Sequence, residues 1–258
     1  MSEGIEAIAE TIVADVAARR DFRDWDAAAL PDMDAAFAVQ AAVVERIAAT
    51  AGGIGGRKIA WNTAAQMQAM GLSEPGAAVV PKHWIRESPA RFSAADFHSF
   101  TVEPEIAAVL GADLAPRADG WTAESVRAAI DRLLPAFEIL DWRGFAGGRP
   151  ESAIAANVFN AGAVLGGPGA APAEVDPAEL RSRVVADGET LVDAVGGAPM
   201  DPFEAAAFLA ERFNRLGQAP RAGEVLLLGA HKPPTKVEAP ARWTFSLGPL
   251  GEVAFEIA

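Results

Sequence analysis

The chain has 258 residues, 51% of them hydrophobic, with 35 Asp and Glu against 22 Lys and Arg and a formal charge of −13. A chain of this length buries a sizeable core, and the acidic surplus disfavours a nucleic-acid backbone or an anionic membrane surface as partner. The absence of cysteine excludes a disulfide scaffold, a thiolate nucleophile and a Cys-ligated zinc site.

Ile5, Ile8, Ile12 and Val16 recur on one face and predict an amphipathic helix over 3–20. The acidic start without an apolar core does not read as a signal peptide. No apolar run reaches the roughly 18 residues of a membrane span, so the expected location is the cytoplasm. A second helix is expected over 34–49, capped by Asp34. Gly52-Gly-Ile-Gly-Gly56 then breaks the chain. It lacks the spacing of a phosphate loop and precedes a strand-like segment, so it reads as a turn. Residues 57–61 read as a strand, and Thr63 caps a helix that reaches Met70 and stops at Gly71. From about residue 77 strands and turns dominate. Strands are expected over 102–110, 134–142 and 161–165, with a helix over 122–133. Asp187-Gly188 joins two strands as a type I′ hairpin, over 180–186 and 189–195. A helix over 201–216 starts at Asp201 and Pro202 and ends at Gly217. Strands over 225–228, 241–247 and 252–257 complete an α+β pattern, a helical region at 1–75 followed by a largely β region at 76–258.

Three glutamates stand inside apolar strand-like runs: Glu103, Glu105 and Glu138. Carboxylates are seldom buried unless something pairs with them or binds them. Glu103 and Glu105 share a strand face, and Pro104 between them favours an edge, a strand start or a bulge. Three oxygen donors without a thiolate suit a hard cation, magnesium or manganese. The alternative on spacing alone is a solvated strand face paired with Arg or Lys. Lys58, read by itself, is a surface lysine at a strand edge.

Val102-Glu-Pro-Glu-Ile-Ala107 followed by Phe137-Glu-Ile-Leu-Asp-Trp-Arg143 resembles the fumarylacetoacetate hydrolase superfamily, in its 2-keto-4-pentenoate hydratase and oxalocrotonate decarboxylase branch. Asp34-Ala-Ala-Phe-Ala-Val-Gln40, Gly56-Arg-Lys-Ile-Ala60, Gly71-Leu-Ser-Glu-Pro75 and Asn160-Ala-Gly-Ala-Val-Leu-Gly166 are similar to further motifs of that branch, in order along nearly the whole chain. The resemblance implies a small N-terminal helical region packed on a mixed-β barrel-like roll. It implies that Glu103, Glu105 and Glu138 bind Mg2+ or Mn2+ and that Lys58 lies in the active site as a proton carrier or a fixed positive charge, with a small-molecule 2-oxo acid as partner and a homo-oligomer as the assembly. Glu138 is then both ligand and catalytic group. Arg143 is a candidate to orient Glu138.

The departures fall around the substrate. Gly76 stands where the branch usually has an aspartate, Phe37 replaces a tyrosine, and Lys58-Ile-Ala-Trp-Asn62 places a bulky indole in a segment that is usually small. Near the C-terminus, hydroxyl residues give way to Gly229-Ala-His-Lys-Pro233. Trp61, Asn62, His231 and Lys232 are therefore candidate substrate-binding residues. His83 and His98 read as surface histidines. The expectation is a metal-dependent lyase, a hydratase of a 2-hydroxy-2,4-dienoate. A decarboxylase or C–C bond hydrolase on a related acid is the alternative among enzymes, and a non-catalytic acid-binding homologue the alternative outside them.

Overall fold

Alternating apolar runs separated by turn residues build two mixed sheets, with the helices laid against them. The computed structural model describes residues 2–258. Its helices are α1 (Ser2–Ala17), α2 (Met33–Thr50), α3 (Ala64–Met70), α4 (Ala123–Arg127), α5 (Pro150–Ala155) and α6 (Pro202–Arg215). Its strands are β1 (Ile54–Ala60), β2 (Gly76–Pro81), β3 (Ile85–Glu87), β4 (Ala90–Phe92), β5 (Phe100–Leu110), β6 (Ile130–Asp141), β7 (Asn160–Leu165), β8 (Gly167–Pro168), β9 (Arg181–Ala186), β10 (Glu189–Val195), β11 (Val225–Ala230), β12 (Thr235–Lys236), β13 (Ala241–Leu247) and β14 (Gly251–Ile257). The first sheet runs β2-β1-β11-β5-β6-β7-β3, with β12 beside β5; the second runs β10-β9-β13-β14-β4, with β8 beside β14.

The α+β class holds, but the roll is not a closed barrel. The first sheet curls until β2 comes near β7, and no ladder joins those two strands. Asn157 bridges the gap instead. Its Nδ2 donates to the Val79 carbonyl at 2.8 Å, and the Val79 N–H donates to its Oδ1 at 2.9 Å. One side chain thus satisfies edge groups that closure would otherwise pair.

The curl has two different ends. Val80, Ala107, Leu134, Ala136, Ala163, Leu165, Val225 and Leu227 form one apolar cluster. Ala107 and Ala136 lie two residues from Glu105 and Glu138, so the carboxylates occupy the same sheet face, one step beyond the apolar plug. On the other face Phe137 meets Trp243, Phe245 and Phe255 of the second sheet. Behind β2, Gln40 of α2 donates to the carbonyls of Ala77 and Ile154, tying helix, sheet and α5 together.

Several boundaries differ from expectation. The cap of α2 is Asp32, which accepts from Ala35 N, and not Asp34. The helix expected over 122–133 ends at Arg127, and β6 starts at Ile130. Pairing decides this: β5 offers backbone partners along its full length, as far as Ile130 opposite Leu110, and tertiary hydrogen bonding overrides a weak local preference. Gly55 and Gly56 belong to β1 rather than to a turn. A Cβ on Gly56 would stand 2.3 Å from the Val225 carbonyl, so glycine is what lets β1 lie against β11. The 187–188 hairpin has positive φ at both central residues, as a type I′ turn requires. Asp201 caps α6 as expected, and Thr63 forms a capping box with Gln66.

Candidate metal centre and cavity

Strand register brings the acids together. Glu103 lies directly opposite Glu138 in the β5–β6 ladder, and Glu105 follows on the same face. Each of the three offers an oxygen within 4.8 Å of the others. That removes the solvated-face alternative: Glu105 is 1% exposed and Glu138 0%, with Glu103 half-buried beside them.

Lys58 reaches the same point from β1. It is 2% exposed, and its Nζ lies 2.9 Å from Glu138 Oε1. The surface-lysine alternative fails with it. Asn160 Nδ2 donates to the same oxygen at 2.9 Å. Arg143 does not orient Glu138. It lines a separate cavity of about 220 Å³ together with Asp141 and His83. Asp141 in turn accepts from the backbone N–H groups of His98 and Ser99.

Pro104 is accommodated by its neighbour. The β5–β6 register runs unbroken through Glu103, Pro104 and Glu105, so there is no bulge on that side. In a strand, the N–H and C=O of one residue point the same way. Pro104 O accepts from His231 N at 2.7 Å, so its missing N–H falls on the β11 side, where the β11–β5 register shifts between Leu227 and Ala230. The bulge that Pro104 favours is therefore in β11. It turns Gly229, at φ 135°, so that its N–H donates to Glu105 Oε2 at 2.9 Å.

Charge crowding is severe. Burial and the neighbouring Glu138 push Glu103 up to about 8, with Lys58 opposing. Burial, Glu138 and Glu103 hold Glu105 well above the usual carboxylate range, against the Gly229 N–H and Lys58. Burial raises Glu138 as well, against Lys58 and Asn160. Glu138 Oε2 is buried without a partner among the described residues. Crowded carboxyl oxygens, one of them unsatisfied, with no sulfur donor nearby, fit a hard divalent cation.

A cavity of about 360 Å³ opens over this cluster. Lys58, Trp61, Asn62, Glu103, Glu105, His231 and Lys232 all line it, with Trp142, Phe145 and Phe159 as aromatic wall. Asn62 Nδ2 and His231 Nε2 are buried without partners among the described residues. Lys232 Nζ contacts Thr235 Oγ1. Trp61 lies over Gly76, where an added Cβ would meet its ring at 2.7 and 2.8 Å. His98 is elsewhere, against Asp21. Reading from sequence missed three supports: Asn160, Gly229 and Ser182. The first two sit inside quoted motifs, which was the available signal; Ser182, on β9, has none.

No family model matches the chain. It is 31% identical over 235 residues to the 2-keto-4-pentenoate hydratase of Paraburkholderia phymatum, covering 87% of each chain. It is 28% identical over 234 residues to the 2-keto-4-pentenoate hydratase of Paraburkholderia xenovorans, covering 88% of this chain and 85% of the relative. The 4-oxalocrotonate decarboxylase from Pseudomonas putida G7, solved with magnesium and adipate, superposes with a TM-score of 0.91 over 100% of this chain and 98% of that one, at 24% identity. A fumarylpyruvate hydrolase from Pseudomonas aeruginosa, solved with Mn2+ and pyruvate, gives 0.58 at 18% identity, covering 78% of this chain and 88% of that one. The motifs and this level of identity agree: the chain belongs to the 2-keto-4-pentenoate hydratase family, and it shares the fold of the decarboxylase and the fumarylpyruvate hydrolase.

Proposed function

We propose that the protein is a divalent-metal-dependent hydratase of a 2-hydroxy-2,4-dienoate, with Glu103, Glu105 and Glu138 holding Mg2+ or Mn2+. The observation that carries this reading is the meeting of three carboxylates within 4.8 Å beneath a cavity that Glu103, Glu105 and Lys58 line. The relatives named as 2-keto-4-pentenoate hydratases support the reaction class. The same reading makes the enzyme a cytoplasmic homo-oligomer acting on a small 2-oxo acid; among the described residues no helix is long and apolar enough to cross a membrane.

When bound, the cation supplies Lewis-acid stabilisation of the negative charge that develops on the substrate's oxygens. The protein does the rest. The Gly229 N–H fixes Glu105, and Asn160 with Lys58 fixes Glu138. Lys58 Nζ carries protons between the substrate's enol oxygen and its carbons C5 and C3, or holds charge beside the substrate carboxylate. Ketonisation gives a conjugated 2-oxo-3-enoate, and water then adds hydroxyl to the far alkene carbon and a proton to the near one. Trp61, Trp142, Phe145 and Phe159 shield the cavity from bulk water. Asn62, His231 and Lys232 are the polar groups left to meet the substrate.

Incubating Mg2+- or Mn2+-loaded protein with 2-hydroxypenta-2,4-dienoate tests this directly. Loss of the diene's ultraviolet absorbance is the expected result. Carbon dioxide release from an oxalocrotonate-type acid without hydration would assign the decarboxylase reaction instead, and turnover of neither would overturn the enzyme reading.

Gly76 gives a second test. Trp61 occupies the space of the acid that the branch usually carries there. Gly76→Asp alone should lower stability by about 1–3 kcal/mol in urea titration, because the new side chain collides with the indole. Gly76→Asp combined with Trp61→Leu should recover that loss. Against Trp61→Leu alone, the double variant should hydrate the dienoate roughly tenfold faster, as an added general acid–base group would. Equal stability of all three variants would show that the indole does not fill the acid's place.

A further inference from the structure

We propose that Ser182 is a positioning residue that fixes His231 as the Nε2–H tautomer, so that the imidazole presents a hydrogen-bond donor to the oxygen atoms of a bound 2-oxo acid. This rests on the functional reading above for the identity of the acid, but not for the tautomer.

Ser182 Oγ lies 2.5 Å from His231 Nδ1. Ser182 is 0% exposed, the second residue of β9, opposite Ala194 of β10 and Leu247 of β13. Its hydroxyl has no other hydrogen-bond partner among the described residues. Two proton placements are open. If Nδ1–H donates to Oγ, the hydroxyl proton is buried with no acceptor. If Oγ–H donates to Nδ1, the hydroxyl proton is met and the remaining imidazole proton sits on Nε2, which has no protein partner among the described residues. Each placement leaves one donor unmet, but the first seals it at a serine that is 0% exposed and the second puts it on a residue that lines the cavity, where a ligand oxygen can accept it, so the second placement is favoured. Gly197 closes the pair from the side: a Cβ there would stand 3.1 Å from Nδ1 and 3.3 Å from Oγ.

His231 lines the cavity. His231 is 8% exposed, its backbone N–H is held by Pro104 O, and its ring rests against Phe245. Nε2 is buried without a partner, as is Asn62 Nδ2. A Cβ on Gly229 would lie 2.8 Å from that amide nitrogen, and His231 follows β11 by one residue, so both residues stand beside the strand that orients Glu105. Burial holds the imidazole down to about 4, which keeps it uncharged in ordinary buffers. Two uncharged donors beside an acidic centre complement carbonyl or carboxylate oxygens of a ligand without competing with the carboxylates for charge.

Protein labelled with 15N-histidine and loaded with Mg2+ tests the proposal. The three histidines are separated by comparison with His231→Leu. His231 should show a protonated Nε2 and an unprotonated Nδ1, and the Nε2–H resonance should move when the saturated acid 2-oxopentanoate is added. Ser182→Ala should mix the tautomers, and Ser182→Thr, which keeps a hydroxyl, should restore the single one. In turnover of 2-hydroxypenta-2,4-dienoate, His231→Leu should raise KM by roughly 10–100-fold with a smaller change in kcat. His231→Gln, which keeps a donor, should recover most of it. A proton on Nδ1 in the wild type overturns the proposal, even if Ser182→Ala fails to fold. So does an unmoved Nε2–H when calorimetry shows that 2-oxopentanoate binds. If calorimetry finds no binding, the functional reading and the donor role fall together. The tautomer and the ligand shift without dienoate turnover would keep the proposal and sink the hydratase.

Discussion

Glu105→Gln should lose the divalent ion and lower turnover by roughly a thousandfold or more. The side chain is buried against the Gly229 N–H, so glutamine fills the same space and the fold survives. What disappears is one of three negative charges that a cation needs. The companion result concerns pH. Burial and Glu138 raise Glu103 to about 8, and Glu105 and Glu138 are raised too. In the unfolded chain such groups titrate near 4.3. Between those values the metal-free folded state holds more protons than the unfolded state, so its stability falls as pH rises from about 5 to 8, by up to about 1.4 kcal/mol per pH unit for each proton retained. Metal competes with those protons, so its affinity should rise over the same window and loading should flatten the decline. Glu105→Gln should also flatten it, because one strained acid is gone. Metal analysis of the purified variant and melting of stripped and loaded protein from pH 5 to 8 read all of this. Full metal content in Glu105→Gln, or metal-free stability that climbs with pH, would contradict the site.

Much of this site was legible before any coordinates. Period-2 alternation put Glu103 and Glu105 on one face, and their apolar setting marked them as unusual. Capping signals located α3 and α6 within a residue or two. Other features were out of reach for physical reasons. That Glu103 stands opposite Glu138 depends on a ladder register that no local pattern encodes. The bulge expected at Pro104 lies in β11, because relief of a missing N–H can come from whichever strand faces it. The premature end of α4 follows from β5 demanding a partner, a requirement set some twenty residues away. Arg143, adjacent to the site in sequence, turns at φ 47° into a different cavity. Ser182 belongs to a strand of the second sheet and meets His231 only because the two sheets pack face to face.

Lys58→Met should lower hydration by roughly 10²–10⁴-fold while the protein keeps its metal. The lysine is 2% exposed, and its recorded partner is Glu138, at 2.9 Å. A buried pair of this kind is weak evidence for stability, since desolvation consumes much of the attraction. Its retention inside an acidic cluster points instead to work done on a ligand. Two kinds of work are separable. A proton carrier must exchange protons with the substrate carbon, whereas a fixed charge need only remain charged. Loaded wild-type protein in D2O should therefore exchange the C3 protons of 2-oxopentanoate, and Lys58→Met should abolish that exchange along with hydration. Lys58→Arg keeps the charge but holds its proton too tightly to pass it on. If Lys58 is the carrier, Lys58→Arg binds 2-oxopentanoate and still fails to exchange it. If Lys58→Arg exchanges as fast as wild type, the proton moves elsewhere and Lys58 serves only to hold the acid. Wild-type rates in Lys58→Met would remove it from the reaction altogether, and the burial of an ammonium against Glu138 would have to be explained by folding alone.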